Sequence, residues 1–406
     1  MHVVPRLGYL AIPLAFLSHY LLGSIPSSGV HGSEPIITFS LSGLGLIPLA
    51  HLMGRATEEL AVRAGPTWGG LLNATFGNAA ELIIAIIALS RGLNDIVKAT
   101  LIGSILGNLL LVAGGAMVVG GWKRERQTFS RAAAQTHSAL LAVAMAAMLF
   151  PAIFHYSFKF SDPNLIEHEL GVSVGTGIIL LAVYVLGLVF TLRTHRHIFS
   201  STPSDGPEDP VGIAGIDGGW SMKKCVIALF IASVGVALIS ELLVGSVEMA
   251  AVKLGWNPVF IGVILLAIFG NAAEHSTAIL LARRNDMDTA MSITYQSSLQ
   301  IALFVTPFLV LFSGLIVTMG FKGAYRLDLI FSPLEVAAVL MTVAVVTVIG
   351  LNGETNWFEG TMLLAVYAIL GITFFYIPAS HLAGYDKATI GQEAPDPQRT
   401  INATAR

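Results

Sequence analysis

Apolar stretches of about twenty residues, separated by short polar or glycine-rich breaks, recur along the whole chain. A helix rising about 1.5 Å per residue needs about 20 apolar residues to cross a hydrocarbon core of about 30 Å. Eleven stretches meet that requirement, near residues 7 to 25, 36 to 54, 67 to 90, 95 to 120, 132 to 154, 171 to 192, 224 to 247, 257 to 282, 288 to 316, 333 to 351 and 359 to 378. The runs are continuously apolar rather than alternating, which excludes the strands of a membrane barrel. The pattern predicts an all-α membrane protein with 11 transmembrane helices. Only Arg6 precedes the core of the first run and no small-residue cleavage site follows it, so a retained span is expected rather than a signal peptide.

Composition agrees with a lipid-embedded chain. Of 406 residues, 54% are hydrophobic and 12% charged, against about 25% charged in soluble domains. The net charge of -3 leaves no basic excess for nucleic acid. Cys225 is the only cysteine, which excludes an internal disulfide or a cysteine-based zinc site. With eleven crossings, thirteen Lys and Arg fall on the side of the N-terminus and six on the opposite side, apart from the C-terminal tail. The positive-inside rule then predicts a multi-pass cell-membrane protein with a cytoplasmic N-terminus and an external C-terminus.

Between His195 and Trp220 lies a polar stretch rich in Ser, Pro, Gly and acids, a composition that reads as a cytoplasmic linker. Its acids Asp205, Glu208, Asp209 and Asp217 are read first as a solvated loop, with cation gathering as the sharper alternative. The expected organisation is an N-terminal helix (1–30), a first five-helix repeat (31–193), the linker (194–222), a second five-helix repeat (223–380) and a polar tail (381–406).

The repeats are written in the sequence itself. Phe76 to Glu81 (FGNAAE) recurs unchanged as Phe269 to Glu274, and at the same spacing Arg91 matches Arg284, Asp95 matches Asp288 and Ser104 matches Ser297. A register shifted by three aligns Glu58 to Gly65 with Glu248 to Gly255. Five crossings per copy is an odd number, so the second copy enters from the opposite face. Such inverted repeats characterise secondary transporters, whose substrate site lies near the midplane at Gly-interrupted helices. Gly77 and Gly270 are placed for such interruptions.

Each hexapeptide puts a glutamate near the middle of a span, where a charge costs at least about 2.5 to 3.5 kcal/mol. A function is the expected reason. Asn78 and Asn271 lie three residues ahead of Glu81 and Glu274, on the same helix faces, so amide and carboxylate oxygens can surround one hard cation. Calcium takes six to eight oxygens, and two carboxylates balance its charge; the same pair can carry two protons instead. Ser104, Asn108, Ser297, Ser298 and Gln300 supply further oxygens from the following helices, each with the alternative of a bond within the helix bundle. His275 is a candidate proton relay or a satisfied interhelical histidine. Glu58 and Glu248 end their runs as candidate entrance acids, or as partners of Arg63 and Lys253.

GNAAELI at Gly77 to Ile83 with GSILGNLLLV at Gly103 to Val112, and GNAAEH at Gly270 to His275 with QSSLQIALFV at Gln296 to Val305, resemble the paired signatures of the calcium/proton antiporter family within the calcium/cation antiporter superfamily. Ser240 to Val244 also resembles that family's seventh helix. The resemblance implies exchange of cytoplasmic Ca2+ for external H+ across the bilayer, with Glu81 and Glu274 as the shared metal and proton carriers and no resident cofactor. Mn2+ or another divalent cation is an alternative cargo. Gly107 departs from the serine common there, and the short linker and N-terminus imply a compact microbial member. A sodium-coupled exchanger of the same fold and a passive divalent-cation channel are the alternatives. The asparagines favour protons over sodium, and inverted repeats disfavour a channel. An intramembrane hydrolase lacks its nucleophile or metal motif.

Overall fold

A computed structural model describes residues 3–22, 34–158, 164–195, 219–320 and 325–377. The acids of the linker and the C-terminal tail lie outside the described residues. The described residues are nearly all helical. Helix α1 covers Val3–Leu17 and α2 Glu34–Phe76. After α2 come α3 (Ala79–Ser90), α4 (Asn94–Leu106), α5 (Ala113–Gly121), α6 (Arg131–Phe158) and α7 (Leu165–Val189). Then follow α8 (Met222–Leu254), α9 (Pro258–Phe260), α10 (Ala267–Arg283), α11 (Met287–Gln300), α12 (Thr306–Thr318), α13 (Pro333–Gly350) and α14 (Trp357–Phe375). Two residue pairs, Gln127–Thr128 and Glu354–Thr355, form a small antiparallel ladder between helix ends.

Among the described residues, nine helices are long and apolar enough to span a bilayer, and two shorter apolar helices cover Gly8–Leu21 and Ala79–Ser90. Burial separates centre from rim. The span Asn94–Gly121 has 78% of its apolar window buried, whereas Leu165–Thr194 has 17% and Trp357–Phe375 has 22%. Helices that are apolar on every side and yet exposed, with Ile179, Phe230 and Val348 facing outward, have lipid as their solvent.

Two expectations about helix limits are corrected. The second run continues as helix well past residue 54, because its last turns carry strong helix formers (ATEELAVRA) whose charges end the hydropathy signal but not the hydrogen-bond ladder. Glu58 therefore lies on α2 rather than after it, and Glu248 lies within α8. The bend comes at Gly65, whose φ of 80° is open to glycine at no steric cost. The third run, expected as one span from 67 to 90, is broken at Gly77 and Asn78 between α2 and α3.

The matched halves behave differently at their glycines. Gly77 marks a break: its N–H donates to the Asn73 carbonyl at 2.8 Å. Gly270, its counterpart, sits inside continuous α10, and the irregularity there moves upstream into a π-helical stretch, Ile261–Leu266. The following helices do match: π-helical stretches at Gly107–Val112 and Ile301–Val305 interrupt the two equivalent spans. Such bulges recur at functional sites because they redirect side chains without ending a helix.

Contacts run between the copies. Helix α2 packs along α8, α3 against α8, α10 against α2, and α4 against the π-helical stretch before α10. The last crossing is tight because Gly103 has no Cβ; one placed there would overlap the backbone carbonyl of Val263. Overpacking of this kind costs about 1–3 kcal/mol. Gly103→Ala is therefore expected to lower the unfolding temperature in detergent by several degrees, while Gly107→Ala, whose Cβ meets nothing within 4 Å, should not. Equal melting of both variants would contradict the packing. An ion pair from Arg91 to Glu241 ties α3 to α8, and Lys98, 2.5 Å from Asp328, ties the segment before α13 to α4.

Candidate functional site

The break at Gly77 decides where the first carboxylate stands. Helix α3 begins at Ala79, so Glu81 falls in its first turn, close to unpaired helix N–H groups and the positive end of the helix dipole. Its side chain reaches the second copy: Glu81 Oε1 lies 3.7 Å from the position a Cβ on Gly270 would occupy. Glu81 is buried, and Oε2 has no hydrogen-bond partner. Gly270 and Glu274 are one helical turn apart on α10, so both carboxylates share one wall.

Glu274 has a different neighbourhood. It lies in mid-helix, away from any helix terminus, and accepts a hydrogen bond from the Ser297 hydroxyl of α11. One glutamate is thus supported by a helix N-terminus and the other by a hydroxyl donor, so two residues that are identical in sequence are not electrostatically identical.

Both line a cavity of about 270 Å³, together with Glu58, Ser297 and Gln300. That is room for an ion with several of its waters. The lining continues past His51 and Arg55 on α2 and ends at Arg284, the residue after α10. Of the lining residues, His51, Arg55 and Arg284 are exposed and mark the accessible side of the cavity. Among the described residues no three His, Cys, Asp or Glu side chains converge as a metal centre. The three lining carboxylates, Glu58, Glu81 and Glu274, would share any cation with amide, hydroxyl or water oxygens.

Asn78 and Asn271 do not line the cavity, although Gly77 and Gly270, the residues before them, do. Each is about 1% exposed and bonded to the opposite copy. The Asn78 amide donates to the side-chain oxygen of Gln300, and the Asn271 amide donates to Ser104 Oγ and to the Ala267 carbonyl, both at 3.0 Å. Their carboxamide oxygens remain buried without a partner.

The remaining sequence candidates are placed as follows. Ser298 is buried and bonds its own helix at the Thr294 carbonyl, 2.9 Å away. Asn108 and His275 stand outside the cavity lining, each with a buried nitrogen lacking a hydrogen-bond partner. Glu248 is exposed on α8 and lies away from the cavity, unlike Glu58. His51, Arg55, Asn73, Gln296 and Arg284 were not singled out from sequence, although they line the cavity. A signal existed: His51 and Arg55 precede Glu58 by seven and three residues, the spacing of one helical face, and Gln296 precedes Gln300 by one turn.

Glu58 lies in the cavity lining, where a negative charge would attract a cation entering from the exposed side. Glu58→Gln should weaken apparent calcium affinity from that side by about two- to fivefold at low ionic strength and less at high salt, since screening sets in within about 8 Å at physiological salt. Initial rates in vesicles at two salt concentrations test this. Matching affinities at both would show that Glu58 has no such part.

Comparison with known proteins gives one answer. Residues 34–193 and 224–376 match the family described as sodium/calcium exchanger protein. The chain is 41% identical over 374 residues to a Ca(2+)/H(+) antiporter of Synechocystis sp., covering 90% of this chain and 95% of that one. It is 42% identical over 358 residues to the Ca(2+)/H(+) antiporter ChaA of Bacillus subtilis, covering 87% and 96%. Among solved structures, native YfkE superposes with a TM-score of 0.73 at 38% identity over 92% of this chain and all of the other. The H+/Ca2+ exchanger CAX, at 13% identity and a TM-score of 0.64 over 92% of each chain, shares the fold. From the doubled hexapeptide, the helical membrane architecture and these relatives together, the chain belongs to the calcium/proton antiporter family of sodium/calcium exchanger-type membrane proteins.

Proposed function

We propose that this protein is a secondary antiporter that exchanges Ca2+ for H+, with Glu81 and Glu274 carrying either one calcium ion or protons in alternation. The observation that carries the reading is the convergence of the two repeat-encoded glutamates on one cavity. Calcium is a hard cation that takes carboxylate, amide and hydroxyl oxygens, and the oxygens here are of those kinds. The relatives named as Ca(2+)/H(+) antiporters support the same pair of ions.

Protonation and calcium binding exclude one another at these oxygens. A protonated carboxyl has no charge with which to balance the ion, and a bound divalent cation repels protons. Exchange follows if the floor of the cavity is exposed to one side of the membrane at a time. We take the repeats 31–193 and 223–380 to be inverted in topology, which provides two equivalent arrangements for alternating access. The face bearing Arg55, Arg284 and most other Lys and Arg is assigned to the cytoplasm by the positive-inside rule. The cavity is then the cytoplasmic vestibule, the N-terminus is cytoplasmic and the C-terminus external, and Ca2+ leaves the cytoplasm as H+ enters.

The test is calcium uptake into vesicles holding the purified chain, with a proton gradient imposed in one set and a sodium gradient in another. Uptake driven by protons alone supports the reading. Uptake driven by sodium alone would make the protein a sodium-coupled exchanger, and flux with neither gradient that fails to saturate would make it a channel.

A further inference from the structure

The two buried asparagines are held by unequal means. An asparagine amide offers a cation its oxygen only when its NH2 group is occupied elsewhere, because carbonyl oxygen accepts and NH2 can only donate. Asn271 meets this condition through the backbone: its NH2 donates to the Ala267 carbonyl, an atom that can never donate in return, as well as to Ser104. Asn78 meets it through the Gln300 side-chain oxygen. Gln300 stands where the 193-residue spacing puts Gly107 in the first copy, so this bond has no counterpart there. In both cases the oxygen is the atom without a hydrogen-bond partner, buried next to a glycine that lines the cavity.

We propose that Gln300 is a positioning residue that sets the orientation of the Asn78 carboxamide, so that its oxygen, buried without a partner next to the lining residue Gly77, rather than its NH2 group, is the end turned away from Gln300 and open to a cation held at Glu81 and Glu274. This rests on the reading of Glu81 and Glu274 as the calcium site. Without an acceptor at residue 300, the Asn78 NH2 group has no assigned partner and can turn toward the ion, presenting the positive end of the amide dipole. Asn271 lacks this vulnerability because the Ala267 carbonyl holds it without any help from a side chain. The apparent twofold equivalence of the asparagines in sequence therefore conceals a functional difference. The first copy depends on a residue of the second, while the second holds its own amide.

The experiment is a double-mutant cycle on calcium binding to the purified full-length chain at fixed pH, which reads variants whether or not they transport. Gln300→Met keeps the size of the side chain and removes the acceptor; it should weaken calcium binding about tenfold, a magnitude at the upper end of that for a hydrogen bond between neutral groups. In an Asn78→Ala background, where no amide remains to be oriented, the same change should weaken binding less than about twofold. Ser104→Ala, which leaves Asn271 its backbone acceptor, should cost less than Gln300→Met. A tenfold loss that persists in the Asn78→Ala background would overturn the proposal, since Gln300 would then act on the ion or on folding, and so would an unaltered affinity in Gln300→Met. Calcium binding that survives Glu81→Gln and Glu274→Gln undiminished would instead overturn the parent reading, and the present proposal with it.

Discussion

Glu81→Gln and Glu274→Gln are each expected to lower proton-driven calcium flux at least about a hundredfold while the chain stays folded. The amide imitates the shape and hydrogen bonding of a protonated carboxyl, so packing around residues 81 and 274 is kept. It cannot release a proton, and it leaves one of the two positive charges of calcium unbalanced. Removing one partner from a buried pair of charges costs about 3–5 kcal/mol, which sets the hundredfold floor. The two variants should also differ. Glu274→Gln can still accept from Ser297 through its amide oxygen, whereas Gln at 81 loses the favourable placement of an anion in the first turn of α3. Flux in vesicles, with unfolding temperature as the folding control, checks both points. Half of the wild-type flux in either variant would end the shared-site reading.

The membrane architecture and the doubled motif were legible in the sequence because each depends on one-dimensional signals. Hydropathy over twenty residues marks a span whatever it packs against, and FGNAAE at 76 and 269 can be found by self-comparison alone. Helix limits were less legible where charge and helix propensity part company. At Ala56 to Ala64 the chain becomes polar while the helix continues, because its polar side chains are used locally: Glu58 lines the cavity, Thr57 donates to the Met53 carbonyl and Glu59 accepts from the Trp220 N–H. That is how Glu58 came to be read as an acid beyond the helix end. The non-equivalence of Gly77 and Gly270 had no local signature, since the residues from 269 to 274 repeat those from 76 to 81 and the difference is set by the helix that precedes them.

The candidate site was legible in its acids and less so in its geometry. Glu81, Glu274, Ser297 and Gln300 could be chosen as polar residues in apolar spans, and the structure brings them to one cavity. Ser298, equally polar and adjacent, returns its hydroxyl to the Thr294 carbonyl; which of two neighbouring serines faces inward depends on helix rotation and the π-helical stretch after Gln300. The cross-copy bonds of Asn78 and Asn271 join residues 222 and 167 positions apart, a pairing no local pattern encodes.

Calcium affinity should fall steeply as pH is lowered, and the steepness reports how many protons the ion displaces. Where the empty site holds two protons and the calcium-bound site none, linkage requires the apparent dissociation constant to rise about a hundredfold for each unit of pH decrease; displacement of a single proton gives about tenfold. The sign follows from the chemistry of the shared oxygens: protons bind the calcium-free form, so acid stabilises that form at the expense of the bound one. Unequal surroundings for Glu81 and Glu274 predict two stages, a tenfold regime at higher pH in which one carboxyl is protonated and a hundredfold regime below it. Glu58, a lining residue outside the pair of repeat-encoded glutamates, can add to the charge seen by the ion without being required for the steepness, so Glu58→Gln should shift the curve and keep its limiting slope. Equilibrium binding of calcium to the purified chain, titrated at fixed ionic strength, measures this directly. An affinity that is flat between about pH 5 and 8, the interval into which buried carboxyl groups are commonly moved, would mean that protons cross by a route separate from the calcium site.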